Sequence, residues 1–171
     1  MFEAHLETNL RHLAESPRDG TYRPRAIRRT YIPKPGSRER RPPGIPTVRD
    51  RVAQAAVRHL LEPIFERDLA AQSYGFRPGR GCKDALREVD RLLRAGFTHV
   101  VDADLKSYFD SIPRERLQAR LEERLSDGRL LALLAQWLSQ DVVQGLRRWT
   151  PTGGTPQGAI ISPLLAYLYL H

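Results

Sequence analysis

Residues 97–113, FTHVVDADLKSYFDSIP, constrain this chain most, because an apolar run there ends in acidic and aromatic side chains. Thr98-His99-Val100-Val101 is β-branched apart from His99 and follows Gly96, which predicts a buried strand leading into Asp104. Asp102 and Asp104 would share one face of that strand. A carboxylate at a strand's end is held by the sheet yet open to a cleft. That suits Mg²⁺, which takes oxygen donors and is usually bound by one or two carboxylates plus substrate phosphates. Asp104 is therefore a candidate metal ligand. On this stretch alone, an aspartate that merely ends a strand and begins a turn is an equal alternative.

Charge narrows the partners. The net charge is +8. Residues 18–51 hold eleven basic residues against Asp19, Glu39 and Asp50, so this segment carries the whole excess and the rest balances. Such localisation is the footprint of a surface tracking a phosphate backbone, with Arg23, Arg25, Arg28 and Arg29 as candidate contacts and Tyr22 and Tyr31 available for stacking. A solvated basic face is the plainer alternative. The 40% hydrophobic and 28% charged composition is that of a soluble globular chain, long enough for one ordinary domain. Cys82 is alone, so no internal disulfide forms, which fits a reducing compartment and a cytoplasmic location. The N-terminus lacks the pattern of a signal peptide. The longest apolar stretch, 159–170, is broken by Ser162 and Pro163, so no membrane span is expected.

Taken in order, Phe2, Leu6, Leu10 and Leu13 predict an amphipathic helix over 2–15, ended by Pro17 and Gly20 and used for packing. Residues 27–33 and 44–46 read as extended segments around the turn at 35–37, a basic hairpin whose Lys34 and Arg41 could lean over a triphosphate. Arg40 competes with Arg41 for that role. Thr47-x-x-Asp50 is a capping box opening a helix lined by Val52, Ala55, Ala56 and Leu60 and limited by Pro63. The loop 73–81 brings glycines together with Arg77 and Arg80; Tyr74 and Phe76 are expected to anchor it in the core. A helix carrying Ala85, Leu86, Val89, Leu92 and Leu93 runs to Gly96, its expected C-cap. Further helices are expected through Leu117, Leu121 and Leu125 and over 129–139, with Asp110 bonding locally. A glycine-rich turn, 151–158, then feeds an apolar helix near Ile160 that contains Pro163.

The blocks YIPKPG (31–36), RPPGIPTVRDRVAQAAV (41–57), SYGFRPGRGCKDAL (73–86), DADLKSYFDSI (102–112) and GGTPQGAIISPLLAYLYL (153–170) resemble, in order, those of group II intron-encoded reverse transcriptases. The resemblance covers roughly 27–171. It implies an α+β fold, the fingers and an incomplete palm of a right-hand polymerase. The implied segments are an N-terminal helix and basic linker (1–26), fingers (27–96), and a partial palm (97–171) with a helical insertion around 114–150. It implies RNA-directed DNA synthesis with Mg²⁺, an RNA template, a DNA primer, deoxynucleoside triphosphates and, for maturases, intron RNA.

Residue by residue, the resemblance makes Asp104 a catalytic metal ligand with the Leu105 carbonyl beside it. It places Lys34 and Arg41 on the triphosphate, Arg77 and Arg80 near the template, and Gln157 and Gly158 beside the nascent base pair. Phe109 becomes the ring that excludes a 2′-hydroxyl. The family's Tyr-x-Asp-Asp block would follow residue 171, so the chain as given is expected not to polymerise, and its last helix to expose an apolar face. An RNA-binding maturase-like module and a nonfunctional remnant of a mobile element are the alternatives.

Overall fold

A computed structural model describes residues 5–33, 35–36 and 38–170; Phe2 and the triphosphate candidate Lys34 lie outside the described residues. Helix α1 (Leu6–Arg18) opens the chain and continues through Pro17, contrary to the expected stop. Pro17 has no N–H to give the Leu13 carbonyl, so the last turn lacks one helical bond and the helix stops one residue later. Only Leu13 of α1 is buried, while Leu6 and Leu10 stay open.

The basic hairpin forms in one register, as two short ladders. Strand β1 (Ile27–Arg29) pairs antiparallel with β4 (Gly44–Ile45), and β2 (Ile32–Pro33) with β3 (Arg40–Arg41) farther out. On its other edge β1 runs parallel to β5 (Val142–Gln144), which turns back through Gly145 into β6 (Arg147–Trp149). The sheet order is therefore β4-β1-β5-β6, and it joins the chain's first third to its last.

Helix α2 (Val48–Phe65) starts at Thr47, whose hydroxyl oxygen accepts from the Asp50 amide at 3.2 Å. The other half of the expected box is redirected. The Asp50 carboxylate, wholly buried, accepts from the Tyr22 hydroxyl at 2.6 Å, the Thr47 hydroxyl at 2.7 Å and the Arg25 amide at 3.2 Å. The Trp137 indole donates to Tyr22 at 3.2 Å. Tyr22 is 1% exposed and so is no stacking platform, whereas Tyr31 remains on the surface.

Helices α5 (Arg114–Glu122), α6 (Gly128–Leu138) and α7 (Ser162–Leu170) pack with α1 and α2 around Leu61, Phe65, Leu117, Leu121, Leu134, Trp137, Ile161 and Leu165. Asp127 caps α6, accepting from the Arg129 and Leu130 amides. Pro163 sits in the first turn of α7, where its missing N–H is no loss. The expected exposure of α7 is overturned for Leu164, Leu165 and Leu168, which are buried where α7 packs on α5 and α2, while Leu170 stays exposed.

The open apolar surface lies elsewhere. Helix α3 (Cys82–Arg94) ends at Ala95 with Gly96 at φ +94°, as its C-terminal glycine predicted, but none of its residues is buried. Leu86, Val89 and Leu93 face outward, followed by Phe97, Val100 and Val101. The strand expected at 98–104 does not form, and Val100 and Val101 are 81% and 93% exposed. β-Branched composition supplies propensity, but a strand also needs a ladder partner for its N–H and C=O groups, and none of the described residues provides one. Phe76 also departs from expectation. It is 66% exposed with φ +53°, and the loop is anchored instead by Arg77.

Candidate functional site

The glycine-rich loop between β6 and α7 is clamped onto two distant segments. Short helix α4 (Tyr108–Ser111) receives it on one side: the Gly154 amide donates to the Ile112 carbonyl at 2.9 Å, and the Thr155 amide to the Phe109 carbonyl at 2.7 Å. Gly154 has φ +77°, and a Cβ there would stand 2.7 Å from the Phe109 carbonyl oxygen and 2.8 Å from the Asp110 Cα. Only glycine satisfies both conditions. On the other side the Gly44 amide of β4 donates to the Gln157 carbonyl at 2.6 Å. Gly158, at φ +94°, has no room for a Cβ against the Gly44 carbonyl, and Gly44 has none against Ile27. The close backbone approach that Gly158 permits is thus made to Gly44. Ile160 completes the clamp, donating its amide to the buried Gln54 side chain at 3.0 Å.

This docking brings Phe109, Gln157 and Gly158 together. Gln157 Nε2 donates to Asp110 Oδ2 at 2.9 Å, which fixes the amide's orientation. Phe109 is half-buried against the core with its ring 6.0 Å from that of Tyr108, whose hydroxyl donates to the Ala166 carbonyl at 2.6 Å. Burial raises the pKa of that Tyr108 hydroxyl. Ser107, at φ +52°, turns the chain sharply before α4.

Asp104 and Leu105 are exposed on the irregular segment ahead of that turn. Among the described residues, no three His, Cys, Asp or Glu side chains gather as a metal site. Arg41 lies exposed on β3 opposite Ile32, and Arg40 opposite Pro33. Of the basic segment, Arg25 and Arg28 are exposed, Arg23 is tied to the Gly20 and Tyr22 carbonyls at 2.7 Å, and Arg29 is half-buried with its guanidinium 5.1 Å from the Trp149 ring centroid.

Arg77 leaves the set of phosphate candidates. It is 8% exposed, and its guanidinium donates to the Glu66 carboxylate at 2.5–3.2 Å, to the Ala70 carbonyl at 2.7 Å and to the Ser73 carbonyl at 2.9 Å. A guanidinium so occupied cannot reach a phosphate unless the loop opens. Arg80 stays on the surface with one bond to the Ala71 carbonyl.

Sequence reasoning overlooked Asp110 as the partner of Gln157, and overlooked Gly44, Gly154, Arg114 and Thr155. The glycines carried a signal, since each sits in one of the family-like blocks. The tertiary bond from Asp110 carried none.

Residues 32–171 match the family described as reverse transcriptase (RNA-dependent DNA polymerase). The chain is 38% identical over 165 residues to the group II intron-encoded protein LtrA of Lactococcus lactis subsp. cremoris, a match covering 96% of this chain and 27% of that protein. It is 39% identical over 176 residues to Protein YkfC of Escherichia coli (strain K12), covering all of this chain and 46% of YkfC. Among solved structures, a chain of a partial Cas6-RT-Cas1–Cas2 complex superposes with a TM-score of 0.63 at 25% identity, covering 99% of this chain and 29% of that one. The chain therefore spans about a quarter to a half of the curated relatives it matches. It belongs to the reverse transcriptase (RNA-dependent DNA polymerase) family, alongside the group II intron-encoded proteins.

Proposed function

We propose that this chain is the fingers and part of the palm of an enzyme that copies RNA into DNA, acting in the cytoplasm on an RNA template, a DNA primer and deoxynucleoside triphosphates. The observation that carries the reading is the docking of the 153–158 loop on α4, which sets Phe109, Gln157 and Gly158 around one place. There the Phe109 ring excludes a 2′-hydroxyl, and Gln157, oriented by Asp110, meets the nascent base pair. Lys34 and Arg41 hold the triphosphate. Arg25, Arg28, Arg29 and Arg80 hold the nucleic-acid strand.

The family generally uses Mg²⁺. The exposed Asp104 carboxylate and the Leu105 carbonyl are donors of the right kind but too few for a centre, so they would contribute two ligands of a larger set. Bound Mg²⁺ stabilises attacking and leaving oxygens in phosphoryl transfer. The exposed arginines favour a second reading, RNA binding of a maturase kind on intron RNA without synthesis.

Two measurements test the reading. RNA affinity should fall with salt, with a log–log slope of about −0.7 per neutralised phosphate. Replacing Arg25, Arg28 and Arg29 together by alanine should weaken binding and flatten that slope, and an unchanged slope sinks the basic segment as the interface. In an enzyme completed by a downstream palm segment, Phe109→Val should admit ribonucleotides more readily. Discrimination between dATP and ATP left as in the parent would make Phe109 a core residue only. Binding without extension by the completed enzyme would select the second reading.

A further inference from the structure

A groove of about 560 Å³ lies between α1 and the start of α2, lined by apolar Leu13 and Val48 together with His12, Arg25 and Arg49. Its size is that of a small-molecule site, enough for one nucleotide. His12, Arg25 and Val48 are exposed, so the groove opens directly to solvent.

Two guanidinium groups meet there without a carboxylate to pair with. Arg58, Arg77, Arg91 and Arg148 are each matched to an acid. Among the described residues no acid pairs with Arg25 or Arg49, and no Asp or Glu lines the groove. The Asp50 carboxylate, next in the chain to Arg49, is wholly buried and engaged by the Tyr22 hydroxyl, the Thr47 hydroxyl and the Arg25 amide. Arg49 is held in place all the same. Its guanidinium carbon lies 4.9 Å from the centroid of the Tyr22 ring, which Asp50 fixes in turn.

Charge and shape select the occupant. Two guanidinium groups against the one buried carboxylate leave 2 − 1 = +1, which a single phosphodiester neutralises and a triphosphate would far exceed. Leu13 and Val48 offer apolar surface beside the His12 ring, a lining suited to the flat face of a base. A base inside a duplex has both faces stacked and presents neither, so the fit is to an unpaired nucleotide.

We propose that the groove between α1 and α2 seats one unpaired nucleotide of a single-stranded RNA, its phosphodiester on Arg25 and Arg49 and its base against Leu13, Val48 and the His12 ring. The proposal rests on the nucleic-acid reading above and deepens it, because it carries the strand onto α1, a helix that the sequence assigned to packing alone.

Fluorescence anisotropy of a labelled oligouridine against the 171-residue chain, over a range of KCl concentrations, tests it. Arg49→Met keeps the aliphatic stem and removes the charge. It should weaken binding about tenfold, as expected for a charge-assisted hydrogen bond, and flatten the log–log salt slope by about 0.7. Val48→Asp sets a carboxylate in the groove at the first residue of α2, where the helix dipole favours a negative charge. It should also weaken binding about tenfold, by repulsion of the phosphate, while its melting temperature by circular dichroism holds or rises. If Arg49→Met unfolds the chain, Val48→Asp decides. Thiouridine-substituted RNA should photo-crosslink within residues 9–13 or 47–49. Wild-type affinity in the folded variants, or crosslinks confined to other segments, overturns the groove while leaving the nucleic-acid reading standing. A blunt RNA duplex that binds as tightly as oligouridine and loses as much affinity in both variants overturns the unpaired nucleotide. If the wild-type chain binds no RNA at any salt, the nucleic-acid reading itself has failed, and the groove falls with it.

Discussion

Tyr22 stands within the most basic stretch of the chain yet turns inward, its hydroxyl bridging Asp50 and the Trp137 indole. Removing that hydroxyl leaves a buried carboxylate short of one donor, so Tyr22→Phe should lower stability by about 1–3 kcal/mol, read from urea unfolding. The same bond predicts a pH dependence. Burial first, and the neighbouring Asp50 second, hold the Tyr22 pKa well above its ordinary value. A group whose pKa is raised on folding contributes stability in full below its unfolded pKa and loses it as pH rises beyond, here above about 10. Wild-type Tm should therefore fall more steeply above that pH than the Tm of Tyr22→Phe. Parallel curves would show that the hydroxyl ionises as freely in the fold as in the unfolded chain.

At the level of elements, the 150–161 loop has little regular structure and derives its shape from what it rests on. Gly154 combines a left-handed φ with contact against the α4 backbone, whereas Gly145, at the β5–β6 turn with φ +58°, has open space within 4 Å of where a Cβ would stand. The pair separates two costs. Gly145→Ala should lose only the left-handed penalty of about 1 kcal/mol. Gly154→Ala should lose about 3 kcal/mol, because backbone must also move. Equal losses in chemical denaturation would mean that the loop is not clamped as described. Since the Phe109 and Ile112 carbonyls accept that clamp on either side of Asp110, the partner of Gln157, Gly154→Ala should also disturb Gln157.

For the whole molecule, one hydrophobic cluster takes residues from α1, α2, α5, α6 and α7, so the helical layer is built as a unit, while the buried strand residues Ile27 and Val142 lie outside that cluster. The α3 face and the 97–105 segment stand outside that cluster, and Asp104 with them. With no second and third carboxylate brought to Asp104 among the described residues, the 171-residue chain by itself should give no primer extension with Mg²⁺, template-primer and deoxynucleotides. Fusing a downstream segment bearing Tyr-x-Asp-Asp should restore it. Robust extension by the unfused chain, abolished by Asp104→Asn, would place the remaining ligands within these residues.

Local signals in the sequence determined the hairpin, the Thr47 cap, the helices through Leu117–Leu121 and Leu133–Leu138, the position of Pro163 in α7 and the family itself. Each depends on spacing or on a residue's own backbone preference, which survive without neighbours. Tertiary structure alone decided the rest. The 98–104 run has strand propensity but no ladder partner, so it stays open; α7 has an apolar face that α5 and α2 cover; Arg77 and Tyr22, polar and adjacent to a basic surface by sequence, are buried because Glu66 and Asp50 fold over them. Asp110 meets Gln157 only because the loop after β6 is pinned between α4 and Gly44. Burial, pairing and convergence are properties of two or more segments at once, and no one-dimensional pattern encodes them.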